Sequence, residues 1–225
     1  TESIGFIPSI AFPVSDNGRL ALRYEISQLE LSGVSTTDSS QILEDEAGTE
    51  ITSSLGYTYS WDSRRSGIDP NTGYALRFSQ DFAGLGGDAK YVKTTAMAKA
   101  QTRVWNEEIT VSATVEAGAI MGYGGYETRI TDRFRMGSSV MRGFEANGIG
   151  PRDTNATNND ALGGNYFAVA RFEAEFPIGV PEEYGITGGL FADVGTIWSL
   201  DNTDGGDAGD EPVDDDAKLR ATVGV

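Results

Sequence analysis

The 225-residue sequence contains no cysteine and no histidine. Without cysteine the chain has no disulfides and no thiolate metal ligands. Without histidine, Ser-His-Asp and Cys-His catalysis are excluded, and zinc loses its commonest nitrogen ligand. Bases are also scarce, with 17 Lys and Arg against 34 Asp and Glu and a formal net charge of −17. Because a nucleic-acid surface needs a basic footprint, we predict no nucleic-acid partner. We also predict no bound metal, no cofactor and no enzymatic activity.

Long hydrophobic runs are missing as well. No stretch of eighteen apolar residues occurs, so the sequence predicts no transmembrane helix. A transmembrane β-barrel stays possible, because its strands are apolar on one face only.

Alternation of apolar and polar residues is the dominant pattern that is present. In segment 19–30, for example, Leu20, Leu22 and Ile26 fall on one face, whereas Arg19 and Arg23 fall on the other. This pattern predicts nine strands, at 3–13, 18–32, 50–62, 73–83, 89–105, 109–121, 165–177, 186–199 and 218–225. Many exceed the about 5–6 residues of a usual soluble strand and fit the about 9–11 residues that cross a bilayer.

The two predicted faces differ in the way that an outer-membrane barrel requires. Charged residues lie on the polar face, whereas Leu, Val, Phe and Ala lie on the other, with Tyr and Trp toward strand ends. The alternative is a soluble β-sandwich with one wet face. The connections favour the barrel, because they alternate between a short set (13–18, 62–73, 105–108, 178–185) and a set containing the longest loops (33–49, 83–88, 122–164, 199–217). We therefore predict an all-β, antiparallel, up-and-down transmembrane barrel in one domain, residues 1–225.

An odd number of strands leaves open edges, and unpaired backbone groups in lipid cost several kcal/mol each. The sequence is therefore expected to be part of a larger barrel.

Two segments, 38–50 and 201–216, are acidic, and the sequence assigns no role to either. The acids of 199–217 fail the EF-hand spacing, which favours a solvated surface loop, with loose divalent-ion binding near anionic lipid as the alternative. Glu173 and Glu175 lie two apart on one strand, about 7 Å from each other. With Arg171 on the same face, they indicate an interior charge network rather than a glycosidase pair.

Segment 122–164 is long, glycine-rich and unlike a solvated loop. Five of the 17 bases lie in it, together with six large apolar residues: Phe134, Met136, Val140, Met141, Phe144 and Ile149. Arginine forks onto carboxylates and stacks on aromatic rings. This composition predicts a loop that folds back into the lumen and contacts a charged wall.

Within that segment, "VMRGFEANGIGPRD" (Val140–Asp153) resembles the lumenal-loop motif of the superfamily of outer-membrane insertases and two-partner secretion transporters. The family pattern is Val-Arg-Gly-Phe/Tyr, and this chain has Met141 between the Val and the Arg. "GIGPRD" looks more like the β-barrel assembly factors than like the secretion transporters. Two later segments, "GGNYFAVARFEAEFP" and "GLFADVGTIW", are similar to the strands that follow the loop.

The resemblance implies a barrel of sixteen strands, of which this chain supplies about nine, with soluble POTRA domains outside it. It also implies that the loop motif (Arg142, Gly143, Phe144, Gly148, Gly150, Pro151) docks on a wall formed by Asp193, Phe191 and Glu175, with Glu173 alongside.

The implied function is folding and insertion of β-barrel proteins into the bacterial outer membrane. A seam between the first and last strands would open sideways and pair with client strands. Unfolded client proteins, accessory lipoproteins, membrane lipid and lipopolysaccharide are the implied partners. A polypeptide-secreting transporter of the two-partner type and a passive porin are the alternatives.

Overall fold

The computed structural model describes residues 2–35, 37–65, 72–106, 108–179, 184, 186–204 and 212–225. Ten strands account for most of the regular structure: β1 Glu2–Phe6, β2 Ser9–Pro13, β3 Gly18–Leu31, β4 Gly48–Asp62, β5 Gly73–Ala83, β6 Tyr91–Val104, β7 Ile109–Gly122, β8 Tyr166–Pro177, β9 Thr187–Trp198 and β10 Arg220–Gly224. A helix α1, Gln41–Asp45, and a 3₁₀ turn, Ser63–Arg65, lie in the connections.

All ten strands belong to one antiparallel sheet in which neighbours in space are neighbours in sequence. Its order is β1-β3-β4-β5-β6-β7-β8-β9-β10, with β2 also paired to β3. This is the up-and-down arrangement, and it confirms the predicted all-β fold. The sheet forms part of a barrel wall. Within the described residues, β1 and β2 form one edge of the sheet and β10 forms the other.

The predicted first strand, 3–13, is interrupted in the structure. Phe6 pairs with Ile26 and Ser9 pairs with Arg23, so β1 and β2 lie on β3 in one continuous register. The break falls at Pro8, which has no N–H to donate to the ladder, although its carbonyl still accepts from the Tyr24 N–H at 3.1 Å. Both pieces therefore occupy the single strand position that the sequence predicts.

The sheet has one apolar and one polar face, since side chains alternate along every strand. Large apolar side chains stay exposed on the outer face, including Leu22, Leu55, Leu76, Val115, Phe172 and Leu190. On the inner face, Arg23 donates to Thr58 at 2.6 Å and to Ser79 at 2.9 Å and pairs with Asp81. An apolar outside and a hydrogen-bonded polar inside are the two faces of a membrane barrel. No helix in the described part of the chain is long and apolar enough to cross a membrane.

Helix α1 was not predicted, although the sequence contains its start signal. Ser40 caps the helix, and its hydroxyl accepts from the Ile42 N–H at 3.3 Å. The helix places Ile42, 1% exposed, in a small apolar cluster, here named the cap cluster, which consists of Ile42, Leu43, Leu162, Leu200 and Val213. The cluster joins three long connections, 32–47, 123–165 and 199–219, at one end of the sheet.

Candidate functional site

The connection between β7 and β8, residues 123–165, lies against the inner face of the sheet and is named the lumenal loop. An isolated bridge, Phe134 with Gly164, folds its first part back on its end. Its last residue, Asn165, continues the strand ladder: its carbonyl accepts from Ile120 at 2.8 Å and its N–H donates to Ser199 at 2.7 Å. The loop therefore leaves and rejoins the wall at the same height along the strands and folds inward between these points.

Apolar side chains of the lumenal loop pack on the inner face of β8 and β9. Met136, Met141 and Ile149 form a buried cluster with the wall residues Val169 and Ile197, and Val140, Phe144 and Phe167 pack around it. Met141 is 0% exposed. This cluster, named the loop cluster, explains why a loop in a polar lumen carries so many apolar residues: they cover an apolar stretch of the wall.

Arg142 is held on two sides by the wall. Its Nε and Nη2 donate to the Asp193 carboxylate at 2.8 and 2.6 Å, and its backbone N–H donates to the same group at 3.1 Å. Its Nη1 donates to Glu173 at 2.7 Å. The guanidinium carbon lies 4.0 Å from the centre of the Phe191 ring. A planar guanidinium makes all of the side-chain contacts at once, which an ammonium group does not.

The burial of Asp193 makes this contact important. The Asp193 side chain is 0% exposed, whereas Arg142 is 32% exposed. A buried carboxylate is tolerated only when it is paired and hydrogen-bonded, and Arg142 supplies three of the donors. The wall therefore presents a charge that needs the loop in order to be satisfied.

On β8, the acid that pairs with Arg142 is Glu173. The expected contact between Arg142 and Glu175 was wrong. The register places Arg171 opposite Asp193 and Glu173 opposite Phe191, so Glu173 lies next to the guanidinium site. Glu175 pairs with Gly189, four residues from Asp193, or about 13 Å along the strand at about 3.3 Å per residue. Sequence parity gave the correct face for both acids, but the register was needed to choose between them.

Two glycines of the motif have a positive φ, which favours glycine. Gly143 has φ +80°, and a Cβ there would lie 2.8 Å from the Thr222 Oγ1 on β10. Gly150 has φ +113°, and a Cβ there would lie 3.3 Å from Ile197. At Gly148 the backbone is not in this region, but a Cβ would approach the Glu145 carbonyl to 3.0 Å. Pro151 is buried, and its carbonyl accepts from the Leu162 N–H at 3.0 Å.

A second arginine of the lumenal loop, Arg133, is more buried than Arg142, and no sequence pattern predicted its partner. Its side chain is 1% exposed; it pairs with Glu46, at the end of α1, and also donates to the carbonyls of Thr128 and Leu162. Burial raises the pKa of Glu46 above its usual value, although Arg133 opposes this rise. Arg133 thus links the lumenal loop to the connection 32–47 beside the cap cluster.

The acidic segments take part in this network where the structure describes them. Asp201 accepts from the Thr128 N–H and from the Asn165 amide, both at 2.8 Å. Asp215 accepts from the Leu200 N–H at 2.8 Å. Asp207, Asp210 and Glu211 lie outside the described residues. Among the described residues, no group of three or more acidic side chains is arranged to hold a metal ion.

An antiparallel up-and-down wall, apolar outside and polar inside, with a long loop docked on its inner face, defines a transmembrane β-barrel of the outer-membrane type. Residues 1–225 match the Omp85 superfamily domain, and the chain belongs to this superfamily.

Several relatives are similar over much of the chain. The outer membrane protein assembly factor BamA of Neorickettsia risticii (strain Illinois) is 34% identical over 224 residues, covering 100% of this chain and 29% of the relative. The sorting and assembly machinery component 50 homolog of Xenopus tropicalis is 30% identical over 190 residues, covering 83% of this chain and 39% of the relative. The crystal structure of BamA from Haemophilus ducreyi lacking POTRA domains 1-3 superposes with a TM-score of 0.68 at 17% identity, over 88% of this chain and 42% of that one. The chain spans less than half the length of each of them.

Proposed function

We propose that this chain is part of the barrel of a bacterial outer-membrane assembly factor, which folds and inserts β-barrel client proteins into that membrane. The observation that carries the proposal is the match over the whole chain to the BamA of Neorickettsia risticii, at 34% identity. The similarity to the sorting and assembly machinery component supports the same class of activity, since both relatives are named for assembly.

The proposed activity needs no covalent chemistry. Client strands would pair with an exposed strand edge of the barrel, because an unpaired ladder of N–H and C=O groups is a template for another strand. Unfolded β-barrel proteins are the proposed clients; accessory lipoproteins, membrane lipid and lipopolysaccharide are further proposed partners.

The lumenal loop is the part of this chain to which we assign a role in that activity. It contacts β8 through the loop cluster, β9 through Asp193 and Phe191, and β10 through the close approach of Gly143 to Thr222. A loop that touches three successive strands from inside would hold their mutual geometry while an edge elsewhere in the barrel opens. Arg142 would be the main positioning residue of this brace.

The test is insertion of a client by the full-length protein in liposomes. An unfolded eight-stranded barrel is added, and its folded fraction is measured as the protease-protected, heat-modifiable species. We expect faster folding with the wild type than with empty liposomes, a reduced rate with Arg142→Ala, and a wild-type rate with Arg135→Ala, whose side chain is exposed in the same loop.

Two other results would contradict the proposal. Steady ion conductance without any gain in client folding would indicate a passive porin. Appearance of an added polypeptide inside the liposomes, not in their membrane, would indicate a secretion transporter.

A further inference from the structure

A tyrosine near the start of the lumenal loop lies between two buried carboxyl groups. The Tyr126 hydroxyl oxygen is 2.6 Å from the Glu50 Oε1 on β4 and 2.6 Å from the Asp132 Oδ2 in the loop. Glu50 is 3% exposed and Asp132 is 6% exposed. The three groups therefore connect strand β4 of the barrel wall to the lumenal loop.

The protons needed for this arrangement can be counted. A phenol carries one proton, and an ionised carboxylate can only accept. Tyr126 can therefore donate to one of the two carboxyl groups, and the other short O···O contact is a hydrogen bond only if that carboxyl group donates its own proton. Burial and the neighbouring Asp132 raise the pKa of Tyr126 above its ordinary value, so the phenol stays protonated. Together the three groups must then hold two protons.

The charges around this site do not remove that requirement. Arg129 lies with its Nε 3.5 Å from Glu50 and donates its backbone N–H to Asp132 at 3.1 Å. Lys93 donates to the Asp132 backbone carbonyl at 2.6 Å. Arg129 and Lys93, with Arg135 near Lys93, face a larger set of acids and phenols on the surrounding elements: Glu50, Asp132, Asp88, Glu25, Tyr91 and Asp81, which is itself paired with Arg23, with the Glu46–Arg133 pair beyond them.

We propose that Glu50 and Asp132 share one proton, and that the Tyr126 bridge is a pH-dependent latch between the barrel wall and the lumenal loop. With the proton present, the phenol accepts from one carboxyl group and donates to the other, and the loop is tied to β4. When the proton leaves to solvent, two carboxylates face one phenol, so one contact is lost and the carboxylates repel each other. The latch is closed while the shared proton is bound and opens when a rise in pH removes that proton.

Infrared spectroscopy of the full-length protein tests the shared proton directly. A protonated carboxyl group has a C=O stretching band that a carboxylate lacks. At neutral pH, the spectrum of the wild type minus that of Glu50→Gln, and that of the wild type minus Asp132→Asn, should both contain this band. Subtracting Asp16→Asn, a control at an exposed position in the turn between β2 and β3, should leave no such band. Absence of the band from both of the first two difference spectra would overturn the proposal.

Proteolysis tests the latch. Tryptic cleavage after Arg129 is measured relative to cleavage after Lys218 in the same sample, which cancels the pH dependence of the protease. Lys218 is an exposed reference site, with 58% of its side chain accessible. In the wild type the ratio should rise several-fold as the pH is raised across the range in which buried carboxyl groups titrate.

The variants separate the latch from general loosening. Glu50→Gln should keep the ratio low at every pH, because the amide N–H replaces the carboxyl proton. Tyr126→Phe should keep it high at every pH. A wild-type ratio that does not change with pH, or a Glu50→Gln ratio that follows the wild-type curve, would contradict the latch. No client protein is needed, so these results are independent of the proposed function.

Discussion

Arg142 is the residue on which the docking of the lumenal loop most depends. Arg142→Ala would leave the Asp193 carboxylate, 0% exposed, without its three donors from this residue. Breaking a buried pair costs about 3–5 kcal/mol, and we expect a value at the lower end because 32% of the Arg142 side chain is exposed. Urea unfolding of the full-length protein measures the change. A loss no larger than that of Arg135→Ala would contradict the assignment.

Gly143 offers a test of how closely the loop approaches β10. Gly143→Ala should destabilise the protein more than Gly125→Ala, since both glycines have φ +80° but only the Cβ at Gly143 meets another residue, Thr222, at 2.8 Å. The backbone cost of about 1 kcal/mol is common to both variants. The difference between their unfolding free energies isolates the contact, and Thr222→Ala should remove it. Equal losses would mean that the loop does not approach β10.

Glu173 and Glu175 differ in their expected effect. Glu173→Ala should weaken loop docking by about 1 kcal/mol or less, because its ion pair with Arg142 is partly exposed, at 40% and 32%. Glu175→Ala should leave loop docking unchanged. Trypsin sensitivity of the lumenal loop distinguishes the two, and a larger effect from Glu175→Ala would reverse the corrected assignment.

At this scale alternation predicted which side chains face the lumen, and the resemblance implied the Arg142 contacts with Asp193 and Phe191 that the structure contains. The choice of glutamate on β8 was wrong. Alternation places Glu173, Glu175 and Asp193 on one face, since the side-chain period of a strand is two residues. Choosing between the two glutamates needs the β8–β9 register, and a period-two pattern is unchanged by a shift of two residues. The pairing of Arg133 with Glu46 joins residues 87 apart, and no local pattern reports such a contact.

The lumenal loop is held as an element by its apolar side chains as much as by its charges. Met141→Ala would leave a cavity in the loop cluster, where Met141 is 0% exposed, at a cost of about 2–5 kcal/mol. Met121→Ala is the matched control, since Met121 is 54% exposed on the outer face. Denaturant unfolding compares the two, and equal small losses would mean that the cluster does not stabilise the loop.

Strands were predicted well and helix α1 was missed, for related physical reasons. Long alternating segments such as β3 and β4 repeat their signal many times, whereas five residues make little more than one helical turn. The Ser40 cap was a usable local signal, but α1 is stabilised mainly by Ile42 in the cap cluster, which forms only when three connections meet. Pro8 was visible in the sequence and explains the interruption between β1 and β2.

At one end of the sheet, three long connections meet at the cap cluster: 32–47, 123–165 and 199–219. Arg133→Met should loosen all three at once, because it leaves Glu46 without its buried partner, and removing one member of such a pair costs about 3–5 kcal/mol. Protease sensitivity should rise in segments 32–47 and 199–219 as well as in the lumenal loop. Arg135→Met, at an exposed site of the same loop, should cause no such rise. Increased cleavage confined to the lumenal loop would show that the connections are independent.

The lumenal loop lies against the inner face of the wall beside β9 and β10, and a disulfide cross-link tests this placement most directly. The chain has no cysteine, and an ideal Cβ at Gly143 lies 3.6 Å from the Thr222 Cβ, within the about 3.5–4.5 Å of a disulfide. After mild oxidation of the full-length Gly143→Cys/Thr222→Cys variant, tryptic peptides containing the two positions should stay joined until reductant is added. In Gly143→Cys/Val223→Cys they should separate, because Val223 is 79% exposed on the outer face. Failure of the first pair to cross-link, or equal cross-linking of both pairs, would contradict the docked loop.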